Sequence, residues 1–260
     1  MDKNNGWALI ENEDDNIIKN CVFFKHSNEL YDLSFLMSYI ISLFKKNSLL
    51  DLFLKKYCCF FCPQINPRFC FDVSVAKTFI YLYTIEESPK NNSFYWIINK
   101  ELRSGVQEKI APLIEMIAYI EKEIKNNDIL SYEGLVYRGT YLTEDLINEI
   151  KPGKIMINSS FWSSTKDYNI AEQYIMNSNK NNALIIIHSK GKNIDVDSEK
   201  ITKYLKEKEV LFIPFTPFKV IKKYKSNINK DLINFIILQQ DLNSNNKCNY
   251  DNMISITFEY

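Results

Sequence analysis

Glycine is scarce in this 260-residue chain, six residues in all. That scarcity excludes the loops in which backbone N–H groups usually cradle phosphate. Neither G-x-G-x-x-G nor G-x-x-x-x-G-K-[ST] occurs, so any nucleotide would have to be gripped by side chains. Net charge is lacking too, with 32 Lys and Arg against 32 Asp and Glu. This removes the global electrostatic case for a nucleic-acid or membrane-surface partner. There are only two histidines, His26 and His188. Cysteines stand at 21, 58, 59, 62, 70 and 248, and Cys59–Cys62 reads C-x-x-C. Zinc would need a second pair with tetrahedral partners, and both histidines are far away in sequence. Reduced core cysteines and no metal are therefore expected. No apolar run is long. Leu33–Phe44 is the longest stretch and is too short to cross a bilayer. Met1–Gly6 is polar and leads to the acidic Glu11–Asp15, with no signal-peptide core. No signal peptide and no transmembrane segment are expected.

The chain does hold 46% apolar and 14% aromatic residues, enough for a packed core. Apolar residues recur at helical spacing through Leu30–Tyr57, Val73–Thr84, Ser93–Leu102 and Ile110–Ile124. After Asn126 the texture changes. Gly134–Tyr137, Ala183–His188, Val210–Pro214, Phe218–Tyr224, Leu232–Leu238 and Ile254–Tyr260 are rich in β-branched and aromatic residues and read as strands. Thr143 opens a short helix with capping chemistry, and Asn169–Met176 reads as another. Helices first and strands later predict an α+β fold. The first 25 or so residues carry no clear assignment.

Three short segments of the strand-rich half carry chemistry. Val136-Tyr137-Arg138-Gly139 places an arginine at the end of an apolar strand, beside one of the few glycines. Phe161-Trp162-Ser163-Ser164-Thr165 sets three hydroxyls after two aromatics. Glu207-Lys208-Glu209 runs into Val210-Leu211-Phe212-Ile213-Pro214, two carboxylates at the mouth of a strand. Each alone has an ordinary reading: an exposed charge, a turn or cap, a solvated strand edge. Folding alone does not demand all three together.

The combination resembles the arginine-specific mono-ADP-ribosyltransferase family, defined by Arg, Ser-Thr-Ser and Glu-x-Glu motifs. The middle triplet here is Ser-Ser-Thr, which keeps the first serine and exchanges one hydroxyl for another. Tyr95–Arg103, YWIINKELR, is similar to the family's helix with an Asn-x-x-Leu-Arg ending. The resemblance runs from about Asp72 to Val220. It implies a split β-sandwich, two mainly antiparallel sheets around an NAD cleft, with the N-terminal helices packed against one side. Residues 1–71 would be a helical extension of unclear role. Residues 72–260 would form the transferase domain, with helices over 72–126 and a β-rich catalytic part over 127–260.

The resemblance further implies the site. Arg138 would hold the pyrophosphate, since a guanidinium offers a charged donor fork at any relevant pH. The Gly139 backbone would pair with the nicotinamide carboxamide, and Ser163 would fix the nearby ribose and the carboxylate. Glu209 would stabilise positive charge developing at the anomeric carbon. Side chains alternate along a strand, so Glu207 and Glu209 are expected to point into one cleft. There Glu207 would orient an acceptor arginine and help remove its proton, and Tyr204 would pack on that guanidinium. Trp162, Tyr168 and Phe218 are core candidates that could instead stack on NAD, and His188 reads as structural.

NAD as co-substrate is expected, with NADP left open as an alternative and no metal required. The expected partner is a protein bearing an accessible arginine, with no nucleic acid. The expected setting is cytoplasmic, or that of a delivered effector. An NAD glycohydrolase, and an inactive nucleotide- or partner-binding domain of the same fold, are the alternatives.

Overall fold

The computed structural model describes residues 7–10, 75–85, 93–104, 107–176, 182–202, 204–228 and 231–240. The described residues 7–10, 130–198 and 205–240 fall in one compact unit, and residues 75–129 and 199–204 fall in a second. The expected helix over Leu30–Tyr57, the strand over Ile254–Tyr260 and all six cysteines lie outside the described residues. Among the described residues, no helix is long and apolar enough to cross a membrane.

The second unit holds α1 (Val75–Tyr83), α2 (Phe94–Arg103) and α3 (Gln107–Lys125). Its packing follows the helical period. Phe94, Ile98 and Leu102 form one buried stripe on α2, and Leu113, Met116, Ile117 and Ile120 form another on α3. Phe79 meets Phe94 edge-on at 5.1 Å, and Asn99 Nδ2 donates to Tyr83 Oη at 2.6 Å.

The first unit is built on one hydrogen-bonded sheet. Its strands are β1 (Trp7–Ile10), β2 (Glu133–Tyr141), β3 (Ile155–Asn158), β4 (Trp162–Thr165), β5 (Asn182–Lys190), β6 (Asn193–Asp195), β7 (Glu209–Phe212), β8 (Pro217–Ile228) and β9 (Asp231–Gln239). Their order is β1-β3-β8-β9-β5-β2-β4-β7-β6. Among the described residues only β5 and β9 pair in parallel; every other neighbour is antiparallel. The sheet is nearly two. β2 pairs with β5 along its whole length, yet with β4 only at Tyr137↔Thr165. Six of the described strands thus stand on one side of a single bridge and three on the other.

Successive residues of β2 face opposite ways, and each face has its own core. Val136 joins Trp162, Ile185, Phe212, Phe218 and Leu238, together with Leu146 and Ile147 of α4 (Glu144–Glu149). Tyr137 joins Leu184, Ile186 and Phe235, together with Ala171 and Ile175 of α5 (Tyr168–Met176). Thr143 caps α4, its hydroxyl accepting from the Leu146 amide at 3.3 Å. α6 (Val196–Glu199) follows β6, and a 3-10 turn (Leu205–Glu207) precedes β7.

β1, β3, β4 and β6 are additions to what the sequence pattern showed. All are four residues or shorter, too short for an alternating pattern to stand out.

Candidate active site

The single bridge between β2 and β4 brings the three chemical segments together. Ser163, Ser164 and Thr165 form neither a turn nor a helix cap; they lie in β4, paired to Leu211, Val210 and Glu209 of β7. Arg138 sits on β2 next to the bridge residue Tyr137.

The three hydroxyls do different work. Ser163 hydrogen-bonds the Glu209 carboxylate. Ser164 Oγ donates to the Val210 carbonyl at 2.8 Å and stitches β4 to β7. Thr165 Oγ1 donates to the Glu207 carbonyl at 2.7 Å and accepts from the Asp167 amide at 3.0 Å. Arg138 is half-buried, donates from Nη1 to the Ser163 carbonyl, and lies 5.8 Å from the centroid of the Trp162 ring.

Glu209 is the electrostatic centre. It is buried, with 7% of its surface exposed. Burial pushes its carboxyl from 4.5 up to about 7; the Ser163 hydrogen bond opposes the rise, the Glu207 charge adds to it, and the Arg138 charge opposes it. The four residues Arg138, Ser163, Glu207 and Glu209 therefore form one interacting set.

The expected strand alternation at Glu207 and Glu209 does not occur. Glu209 opens β7, but Glu207 ends the 3-10 turn, and Lys208 between them has a φ of +47°. The left-handed residue breaks the extended chain, so a turn, not a strand pleat, carries Glu207, whose charge still reaches the Glu209 carboxyl. Tyr204 belongs to the other unit, where it is half-buried and its amide donates to Thr202 Oγ1 at 3.0 Å.

Gly139 has a packing reason of its own. A Cβ at this position would lie 2.0 Å from the Ala171 carbonyl oxygen and 2.9 Å from Ile175 Cγ1, so the glycine lets α5 close on β2. Trp162 and Phe218 are core residues, their rings 5.3 Å apart and both packed on Phe212. Tyr168 meets Tyr137 edge-on at 5.8 Å.

Sequence reasoning missed Thr165, Asp167 and Lys208, which border the four-residue set and fasten the turn that carries Glu207. Lys208 Nζ donates to Asp167 Oδ2 at 2.9 Å, and that contact holds the Asp167 carboxyl below its usual range and the Lys208 amine above its own. The visible signal was an aspartate two residues past the hydroxyl run and directly before a helix, a capping position. Among the described residues, no group of three or more His, Cys, Asp or Glu could hold a metal ion.

No protein-family model matches the chain. A curated protein of Mycobacterium avium (strain 104), "Putative NAD(+)--arginine ADP-ribosyltransferase Mav", is 29% identical over 92 residues. These are 35% of this chain, and they span about a tenth of the length of that relative, 10%. Among solved structures, the ADP-ribosyltransferase HopU1 of Pseudomonas syringae pv. tomato DC3000 matches 64% of this chain and 76% of its own, with 19% identity and a TM-score of 0.51. Exoenzyme S of Pseudomonas aeruginosa, solved with human 14-3-3 protein beta and bound to carba-NAD, matches 84% of this chain and 96% of its own, with 16% identity and a TM-score of 0.51. With its sheet divided at one bridge and α4 and α5 laid on that sheet, the chain has the fold of the ADP-ribosyltransferases.

Proposed function

We propose that this chain is a mono-ADP-ribosyltransferase that breaks the nicotinamide–ribose bond of NAD and passes ADP-ribose to an arginine side chain of a protein. The observation that carries this reading is the meeting of Arg138, Ser163, Glu207 and Glu209 across β2, β4 and the start of β7. The named relative and the shared fold support it.

The donor set suits a dinucleotide in a chain without glycine loops. Arg138 binds pyrophosphate through a permanently charged fork. The backbone of Gly139, at the edge where the sheet divides, pairs with the nicotinamide carboxamide. Ser163 holds Glu209 in place. The Glu209 carboxylate faces the ribose and stabilises positive charge at the anomeric carbon as nicotinamide leaves, and its dry setting strengthens that interaction.

Glu207 serves the acceptor. Arginine is a poor nucleophile because its guanidinium is protonated at any ordinary pH. The Glu207 carboxylate pairs with it, aims one nitrogen at the anomeric carbon and takes up a proton.

The deciding experiment is Glu207→Gln, assayed with NAD and agmatine for nicotinamide release and for labelled acceptor in one reaction. Loss of labelling with nicotinamide release retained is the expected outcome. Survival of both activities makes Glu207 an ordinary surface residue. Loss of both puts it in the NAD site, and the division of labour is wrong. A wild-type protein that releases nicotinamide but never labels agmatine is a glycohydrolase instead.

A further inference from the structure

Glu207 owes its position to a turn, and that turn is fastened by residues outside the four-residue set. Three contacts tie residues 207–208 to the segment leaving β4. Thr165 Oγ1 donates to the Glu207 carbonyl at 2.7 Å. The Lys166 amide donates to the Lys208 carbonyl at 3.0 Å. Lys208 Nζ donates to Asp167 Oδ2 at 2.9 Å, an ion pair whose side chains are 52% and 24% exposed.

Asp167 is a firm anchor. Its Oδ1 accepts from the Asn169 amide at 3.0 Å and its carbonyl accepts from Ala171 at 3.3 Å, which fixes it at the first turn of α5. α5 in turn packs on β2, β4 and β5. Lys208 is the strained partner. Its φ of +47° is unfavourable for any residue with a Cβ and persists only where surroundings enforce it. The Lys166 and Asp167 contacts enforce it here.

We propose that the Asp167–Lys208 ion pair is a latch that fixes the turn carrying Glu207 and so sets how ADP-ribose divides between an arginine acceptor and water. This rests on the arginine-acceptor reading of the same site. Arg138, Ser163 and Glu209 are carried by the sheet itself, so they keep their places when the latch opens. Glu207 does not, and a small misplacement of an orienting group is enough to lose an acceptor.

Three variants separate the roles. Asp167→Asn removes the charge but keeps an acceptor at the helix start, where asparagine caps about as well. Lys208→Gly removes the pair and tolerates the left-handed φ. Lys208→Arg keeps the pair. With NAD and agmatine, the first two should lower the ratio of ADP-ribosyl-agmatine to free ADP-ribose about fivefold through a higher KM for agmatine, with hydrolysis within about twofold of wild type, as suits an exposed ion pair. Lys208→Arg should match wild type. Amide hydrogen exchange over residues 205–208 should quicken in the same two variants.

An unchanged product ratio beside an active wild type overturns the latch alone, as does unchanged exchange. A wild type that never labels agmatine overturns the acceptor reading and the latch's role with it. Exchange still reports in that case whether the pair holds the turn.

Discussion

Glu209 is where the electrostatics of this protein concentrate, and two predictions belong to that one residue. Its carboxyl is raised to about 7, chiefly by burial, and charge stabilisation requires the ionised form. Nicotinamide release measured as kcat/KM, which reports the free enzyme, should therefore rise with pH through about 7 and level off above it. Glu209→Gln should lower that rate on the order of 10²–10³, the cost of losing one preorganised electrostatic contact. Stability should move the other way. A carboxyl raised in the folded state contributes stability that is fully present below about 4.5 and lost as pH rises through about 7. Each tenfold change in the ionisation constant is worth ~1.4 kcal/mol, so at pH 8 Glu209→Gln should unfold later than wild type by roughly 3 kcal/mol, with little difference at pH 4. Denaturation at the two pH values checks this, and equal curves at pH 8 would mean that Glu209 is wetter than its burial implies. Arg138 makes a second residue-scale case. Arg138→Lys keeps charge but loses the fork, and calorimetry should show weakened NAD binding; unchanged affinity would make Arg138 a strand tie to Ser163 only.

At the scale of elements, the contact between α5 and β2 is the tightest constraint. A Cβ on Gly139 would lie 2.0 Å from the backbone oxygen of Ala171, and a helix carbonyl cannot swing aside as a side-chain tip can. Gly139→Ala should therefore push α5 off β2 and cost ~1–3 kcal/mol or more, read by chemical denaturation; a neutral result would show that the helix slides freely. The elements around the site differ in how legible they were. α2, α3, β5 and β9 announce themselves through helical stripes or β-branched runs such as Leu184–Ile187. β4 does not. Trp162-Ser163-Ser164-Thr165 has the composition of a turn, and only pairing with β7 extends it. The 3-10 turn before β7 was equally hidden, because nothing in Lys206-Glu207-Lys208 demands a left-handed lysine.

For the whole molecule, the sheet hinges on unequal pairings. β5 is hydrogen-bonded along both edges, and Leu184, Ile185 and Ile187 are fully buried. β4 meets β2 at one residue pair only. Native-state hydrogen exchange should then be slowest across β5 and β9 and faster across β4 and β6, since strands opening at one bridge need less of the structure to unfold. Ile185→Ala should cost ~2–5 kcal/mol and accelerate exchange everywhere in this unit. Uniform protection through β4 and β6 would show instead that the two groups of strands open together.

The sequence by itself determined which residue types stand available and in what order. An arginine beside a glycine, a run of hydroxyls and a pair of glutamates are local facts, and the α+β class follows from apolar periodicity, which is local too. Only the tertiary structure decided their distances. Ser163 meets Glu209 across 46 residues of chain because β4 and β7 are neighbours, and Glu207 meets Glu209 through a turn held by Thr165 and Asp167. Burial also belongs to the folded state: it pushes the Glu209 carboxyl from its ordinary 4.5 up to about 7 at the mouth of β7. Pairing register and desolvation arise from residues far apart in the chain, and no local pattern encodes them.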